Sequence, residues 1–474
     1  MLFYILLAAI AVIAAIFLTP LRQKVWVTTG IVASLAVAAT TLAIKALIEG
    51  RIVLATFSTS LFGEESFAVD KLSALFLIII SIASITTVLY SRGYLKGYLE
   101  RYAEAHISMH YTALTTLVAS MMFVVMSSGG FSFLFAWELM TIASFILIPF
   151  EAERQNTRRS ALNYLVMMHI GFIFLVIGFV LCANVTGSAN FTAIVDYFKI
   201  AKPLPLFIIL FIGFGMKAGL FPMHIWLPEA HPAAPSHISA IMSGVMIKTG
   251  VYGVMRVMSY MSVTEQIHTA GIILLAVGAV TGLWGVILAA VQNDVKRLLA
   301  YSSIENIGVI FIGLGIATLA QAAGNSVVMT LAMCGALMHI INHSLFKSLL
   351  FFGAGNIYSQ MHTTHLDRFG GVAKYMPVTA ILFLVATIAI CALPPLNGFV
   401  GEFMIYLGML NSVRDGVNTL YAAGGLLALS LIGGIVVLAF TKLYSTVFLG
   451  SPRHHHVAEA VEDDNLRIAA MAIP

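Results

Sequence analysis

Eight ionisable residues stand inside runs otherwise apolar enough to cross a bilayer. They are Glu138 in FAWELMTIASFIL, His169 in YLVMMHIGF, Lys217 in GFGMKAGLF, Lys248 in SGVMIKTGVYG, His339, His343 and Lys347 in ALMHIINHSLFKSLLFF, and Glu402 in PPLNGFVGEFMIY; Glu305, in SSIENIG, is a further candidate. An ionisable side chain at bilayer depth costs at least about 2.5 kcal/mol on insertion scales, so those that persist face a polar interior and mark ion paths. A carboxylate, an amine and an imidazole each take and release a proton. Desolvation disfavours the charged form of acid and amine alike, which brings both toward a common working range. Lysine suits such a relay better than arginine, which keeps its charge. The mixture of types predicts a proton wire, lateral or transverse, with water between stations. No catalytic triad and no nucleotide loop is distributed in this way, and no catalytic residue is assigned.

Each residue also has a plainer reading. Glu138 and Lys217 could form only a buried structural pair, in which loss of one partner would still destabilise the fold. Lys347 and Glu402 could snorkel to an interface. His169 and His339 could be hydrogen-bonded packing.

The elements that must hold these groups follow from composition. The chain has 474 residues, 60% hydrophobic and 10% charged, with a mean hydropathy of +0.97, far from a soluble protein's usual balance. A polytopic, all-α membrane protein is the only class that fits. Apolar runs at 2–19, 25–48, 71–90, 111–127, 131–149, 160–184, 204–229, 236–260, 269–291, 302–320, 326–354, 376–408 and 419–449 predict about thirteen spanning helices. The first run lacks the basic start and small-residue cleavage site of a secretory signal and reads as a retained helix. RIVLATFSTSLFGEESFAVD alternates like a surface hairpin, and FTAIVDYFKIAK like an amphipathic helix along the interface.

Two of the long runs carry helix breakers, Pro222 with Pro228 in one and Pro394 with Pro395 in the other. Proline removes a backbone hydrogen bond, and broken backbone at that depth is tolerated only where protein or water covers it, as along a transporter's ion path. Lys217 and Glu402 each lie beside a break. Their correspondence predicts an internal repeat, with N-terminal helices and hairpin over 1–110, a first five-helix unit over 111–260, a second over 261–449, and a cytoplasmic tail over 450–474. In such a repeat His169 answers to His339 or His343.

The loop cations divide unevenly. Arg22, Lys24, Arg92, Lys96, Arg101, Arg154, Arg158, Arg159, Lys296, Arg297, Arg368 and Lys374 fall in one set of alternate loops, and little beyond Arg51, Lys199, Lys202 and Arg414 in the other. The positive-inside rule then puts the first set in the cytoplasm and the N-terminus outside. The tail ends on the start of another apolar run, from which we expect a further span. Cys182, Cys334 and Cys391 stand singly in apolar runs and read as small core residues. The HHH at 454–456 reads as a solvated tract, and no metal site is assigned. A net charge of +4 with no basic stripe excludes nucleic acid as a partner.

The runs FGMKAGLFPMHIWLPEAHPAAPSHISAIMSGVMIKTGVYGVMR, NDVKRLLAYSSIENIG, HSLFKSLLFFGAGNI and LPPLNGFVGEF resemble the antiporter-like membrane subunits shared by respiratory complex I, multisubunit sodium/proton antiporters and membrane-bound hydrogenases. The resemblance runs from about residue 70 to 449. SSIENIG and PPLNGFVGEF look most like the large membrane subunit of the formate hydrogenlyase and hydrogenase-4 type. It implies a fold of about fourteen helices with two inverted five-helix repeats, each holding one discontinuous helix. It also implies roles: Glu138 as acidic partner of Lys217, Lys248 as central relay lysine, His339, His343 and Lys347 as the connecting relay, and Glu402 as the terminal relay residue. Some relatives have lysine at that last position. The family's final helix and its lateral amphipathic helix are not seen in this sequence, which puts docking to neighbouring subunits in question.

The resemblance further implies electron transfer in a parent complex, from NADH, ferredoxin or formate toward quinone or protons. This chain shows no dinucleotide fingerprint, iron–sulfur cysteine set or flavin signature. Iron–sulfur, flavin or nickel centres are therefore expected in partner subunits, and the partners are other membrane subunits and a soluble electron-transfer arm, in a cell's inner membrane. Three functions stay open: a redox-driven proton-translocating subunit of an oxidoreductase complex, a sodium/proton antiporter subunit, and a structural membrane scaffold.

Overall fold

The computed structural model describes residues 2–59, 63–153, 156–261, 266–462 and 464–474. Every apolar run is helical over most of its length. In chain order come α1 (Leu2–Leu18), α2 (Lys24–Glu49), a hairpin of β1 (Ile52–Thr59) and β2 (Gly63–Val69), α3 (Lys71–Leu95), α4 (Glu104–Met126), α5 (Gly130–Leu147) and α6 (Thr157–Thr186). The chain continues through α7 (Ala193–Ile200), α8 (Pro203–Ala218), α9 (Leu227–Ala233), α10 (Ser236–Ile241) and α11 (Ile247–Met261), with a π-helical turn at Met242–Met246 joining the last two. Then follow α12 (Ile267–Val291), α13 (Val295–Ala322), α14 (Ser326–Met361), α15 (Pro377–Ile390), α16 (Asn397–Arg414), α17 (Thr419–Phe448), α18 (His455–Ala458) and α19 (Asn465–Ala472).

Ten helical stretches among the described residues are long and apolar enough to cross a membrane, and α8 and α15 are shorter apolar helices ending at the breaks. The chain is a multi-pass membrane protein. Burial sorts the spans. The stretch from α10 to α11, and α13, are enclosed on every side, while α2, α6 and α17 expose broad apolar faces. A helix that is apolar all round belongs in the interior, and it is these enclosed helices that carry Lys248 and Glu305.

The hairpin forms as expected, antiparallel, with an irregular register between Val53 and Ala55; its tip at 60–62 lies outside the described residues. It is also a helix clamp. Glu65 is fully buried and accepts from the Phe131 N–H (3.2 Å), the Ser132 N–H (3.0 Å) and Ser132 Oγ (2.7 Å). These donors belong to the first turn of α5, where backbone N–H groups lack helical partners and a carboxylate also meets the positive end of the dipole. The helix so fixed carries Glu138.

Two cations counted with the loops are interior. Lys24 donates to the carbonyls of Ile16 (3.0 Å), Phe17 (3.1 Å) and Thr19 (2.5 Å) and pairs with Glu104 at 3.1 Å; it closes the C-terminal end of α1. Lys296 is buried and donates to the Ala234 carbonyl at 2.9 Å. Arg154 lies outside the described residues.

At the start of α3, Asp70 accepts from the Ser73 N–H at 2.9 Å and meets the guanidinium of Arg256, on α11, through both oxygens, one at 2.9 Å. Burial pushes the Asp70 carboxyl up. The Arg256 hydrogen bonds and charge, with Ser73, outweigh it and hold the group down at about 2.

The tail folds back. Arg467 on α19 is buried and donates to Tyr90 Oη (2.8 Å) and Ser359 Oγ (2.7 Å). Glu462 accepts from the Val378 and Thr379 N–H groups at 2.7 and 3.2 Å, capping α15.

Candidate functional site

The first break begins before Pro222. Helix α8 ends at Ala218, where Gly219 takes a left-handed φ of +79° and both its N–H and that of Leu220 return to the Gly215 carbonyl. Glycine at this position stops a helix without strain, so Pro222 prevents resumption within a stretch already open, and Pro228 stands in the first turn of α9, a tolerated position. Lys217 is thereby held in the last turn of α8, 1% exposed. Its ammonium donates to Thr141 Oγ1 on α5 and Tyr164 Oη on α6, each at 3.2 Å, and lies 5.7 Å from the centre of the Trp137 ring. Tyr164 in turn shares a 2.8 Å hydrogen bond with Ser144.

Glu138 is not the direct partner that the resemblance implied. No Lys217–Glu138 contact falls within 4 Å among the described ion pairs; Glu138 Oε1 instead lies 2.9 Å from His169 Nε2. The reason is direction: Thr141 and Trp137 of α5 face Lys217, while the Glu138 carboxylate, both oxygens buried, meets His169 of α6. His169 Nδ1 faces the Leu165 carbonyl at 2.9 Å. Glu138 still lies within electrostatic reach of Lys217.

Lys248 follows the π-helical turn. Such a turn shifts the hydrogen-bond ladder by one residue and is common at functional sites. The Lys248 ammonium donates to the Ser243 carbonyl at 2.8 Å, and Ser243 Oγ is 2.7 Å from Ser303 Oγ on α13.

On α14, His339, His343 and Lys347 recur every fourth residue and so share one face. All three are buried, against snorkelling by Lys347. Lys347 donates to the Leu299 carbonyl at 2.9 Å and to Ser302 Oγ, both on α13. His343 has both ring nitrogens buried without a hydrogen-bond partner among the described residues, and stands within electrostatic reach of Lys248 and Lys347. His339 Nε2 donates to Asn306 Oδ1 at 3.0 Å, and Asn306 Nδ2 donates to Glu305 Oε2 at 2.5 Å. Asn306 therefore bridges imidazole to carboxylate, a role missed in reading SSIENIG as a motif.

The second break spans 391–396, with Ala392 at φ +51°. As at the first, the helix ends before its prolines: α15 stops at Ile390, and Pro394 and Pro395 lie within the open stretch. Asn342 of α14 donates to the Asn397 carbonyl at 2.6 Å, tying the break to the histidine face. Gly401 lets α16 approach His339 closely, since a Cβ there would lie 2.9 Å from the His339 nitrogen. Glu402 is 8% exposed, too enclosed to snorkel. Glu305 lies within electrostatic reach of it and of Lys347. Of the candidates, Lys248, His339, His343, Lys347, Glu305 and Glu402 thus form one interior group linked by electrostatic reach, while Lys217 is coupled to Glu138, which pairs with His169. Among the described residues no group of three or more His, Cys, Asp or Glu is placed to hold a metal ion.

Buried lysines and carboxylates beside two broken helices, in an all-helical multi-pass protein, define the class of antiporter-like membrane subunits. Within it the chain belongs to the family described as NADH:quinone oxidoreductase/Mrp antiporter, TM, whose model matches residues 127–430. Hydrogenase-4 component B of Escherichia coli (strain K12) is 35% identical over 420 residues, covering 87% of this chain and 61% of that protein. Formate hydrogenlyase subunit 3 of the same strain is 39% identical over 244 residues, covering 51% of this chain and 40% of that protein. The chain thus spans less than two thirds of the length of these curated relatives. Among solved structures, a chain of the membrane-bound sulfane sulfur reductase, an archaeal respiratory membrane complex, superposes with a TM-score of 0.81 at 26% identity, covering 99% of this chain and 74% of that one. A chain of the Mrp complex from Dietzia sp. DQ12-45-1b gives 0.80 at 20% identity, covering 94% and 79%, a likeness of fold.

Proposed function

We propose that this chain is the proton-translocating membrane subunit of a redox-driven complex of the hydrogenase-4 or formate hydrogenlyase kind, with a complex I-like NADH:quinone oxidoreductase as the neighbouring alternative. Electron transfer belongs to other subunits, which carry the iron–sulfur, flavin or nickel centres. The other partners are further membrane subunits, and the setting is the plasma membrane with the N-terminus outside. The observation that carries the reading is the set of buried ionisable groups Lys217, Lys248, His343, Lys347, Glu305 and Glu402, with Lys217 and Glu402 each beside a break in a helix. Buried ionisable groups are retained in membranes where ions move.

Glu138 is the control point. Its buried carboxylate lies 2.9 Å from His169 and acts on Lys217 from a distance. Redox work elsewhere shifts that balance. With the carboxylate drawn toward Lys217 the ammonium is held; with it claimed by protonated His169 the lysine releases its proton inward, toward Lys248. A proton on Lys248 and one on Lys347 repel each other, which drives the charge on toward Glu305 and Glu402.

Lys217→Ala in the assembled complex is expected to abolish proton translocation while leaving electron transfer partly active. An unchanged number of protons per electron would sink the proposal. Sodium/proton antiport is the second reading, favoured at one place: Glu402 receives no side-chain hydrogen bond among the described residues and stands beside the second break, where backbone carbonyls could join it around a cation. Sodium-dependent proton flux in vesicles without redox substrate would decide for it.

A further inference from the structure

A second group of ionisable rings lies apart from the lysine series, between α4 and α10. His110 and His237 are both buried, 127 residues apart in sequence, with their Nε2 atoms 2.8 Å from each other. At that distance one ring donates and the other accepts. Each ring's second nitrogen, Nδ1, is buried with no hydrogen-bond partner among the described residues. A pair kept for packing alone would satisfy those outer nitrogens, because unmet polar atoms are costly in a dry interior. Here their capacity is left for water or for a proton in transit.

The surroundings give the pair two ends. Toward the surface, His106 lies one turn earlier on α4, half-buried, stacked on Tyr102 at 4.7 Å, with Nε2 3.2 Å from the Phe150 carbonyl. Inward, the His237 ring meets Tyr94 of α3 edge-on at 5.2 Å and stands within electrostatic reach of Lys296 on α13 and Arg467 on α19. His231, on α9, has both nitrogens buried without a hydrogen-bond partner among the described residues, within electrostatic reach of Lys296, Lys347 and Lys248. The nearby carboxylate, Glu151, accepts from Tyr98 (2.5 Å) and Tyr358 (3.1 Å).

We infer that His110 and His237 are a proton-transfer pair that feeds the lysine series from the face bearing Tyr102 and His106. The inference rests on the proton-translocating reading above. A proton arrives at His110 Nδ1, the proton on His110 Nε2 passes to His237 Nε2, and the proton on His237 Nδ1 leaves toward Lys296 and His231. One proton enters and one departs. Both rings end in the opposite tautomer, so a ring rotation or a return hop resets them before the next transfer.

The test uses the intact complex in proteoliposomes, with His110→Gln and His237→Gln made separately and together, and Lys217→Ala in parallel. Glutamine keeps a hydrogen bond but cannot take a proton at one atom and release it from another. Each single variant is expected to slow proton translocation on the order of a hundredfold, the scale for losing a positioned proton carrier. The double variant is expected to be no slower than either single one, because the two rings act as a unit. Should either variant fail to assemble, His106→Gln at the half-buried mouth carries the same expectation. Proton yield unchanged in the histidine variants, with Lys217→Ala inactive, overturns the pair alone; yield unchanged in all of them overturns the reading on which it rests.

Discussion

The two broken segments hold their charges at opposite ends of a half-helix and by different means. Lys217 lies in the last turn of α8, before the break, with two hydroxyls at 3.2 Å. Glu402 is the sixth residue of α16, after the break, and no side-chain hydrogen bond reaches it among the described residues. The unpaired carbonyls at a helix C-terminus attract an ammonium by about 0.3–1 kcal/mol, and up to about 2 where partly buried, but the effect fades beyond one turn. Lys217 therefore gains from the dipole and Glu402 hardly does. The first break builds a cation site fixed in advance, while the second leaves a carboxylate whose lone pairs are uncommitted. That contrast fits a loading station at one end and a discharging station at the other.

The strongest way to break the comparison is Glu402→Gln, which keeps shape and removes the titratable group. If both breaks are stations, proton translocation falls on the order of a hundredfold, as it does for Lys217→Ala, with the complex still assembled; proton flux in proteoliposomes reads it. A flux that survives Glu402→Gln but not Lys217→Ala would make the second break structural. The supports of the two regions differ too. Glu65→Ala leaves the first turn of α5 without its acceptors and should lower stability by about 2–4 kcal/mol, whereas Asn342→Ala frees the Asn397 carbonyl alone and should cost about 1–2 kcal/mol. Thermal unfolding in detergent orders the two. Within the first region, Tyr164→Phe removes one of the hydroxyls on Lys217, a loss of about 1 kcal/mol, and should slow translocation roughly fivefold.

The sequence displayed the elements and the buried titratable residues far better than their pairings. Apolar runs marked every span, and the prolines located both breaks, though glycine geometry at Gly219 and not Pro222 ends α8. Lys217, Lys248, Lys347 and Glu402 were legible because a charge in an apolar run stands out against its surroundings. Contacts across the bundle were hidden. Nothing in local spacing distinguishes the outward turn of Glu138 toward His169 from an inward turn toward Lys217. Asn306, Tyr164 and Ser302 are ordinary polar residues until another helix brings an ionisable group to them. His110 and His237 were hidden for the same reason: 127 residues separate them, and only the fold brings their Nε2 atoms together.

The smallest expected effect on translocation concerns the frame of the first region. Asp70 joins the start of α3 to Arg256 near the end of α11, the helix that opens with Lys248. Its carboxyl is held at about 2 in the fold against an ordinary 3.8, so the ionised form binds the folded state more strongly than the unfolded one. The sign follows: this contribution is fully present above pH 3.8, is lost as the pH falls toward 2, and is absent below that. Between pH 7 and 5 it does not change, and translocation in that range should be unaffected. Asp70→Asn should remove the acid-dependent part of the unfolding curve and leave Arg256 unpaired, so that the variant is less stable than the parent at neutral pH and the gap closes on acidification. Melting temperatures in detergent across the acid range test this. A gap that stays constant down to pH 2 would mean the Asp70–Arg256 contact is not what ties α3 to α11, and the first region would then depend on the Glu65 clamp and the hydroxyls around Lys217 for its rigidity.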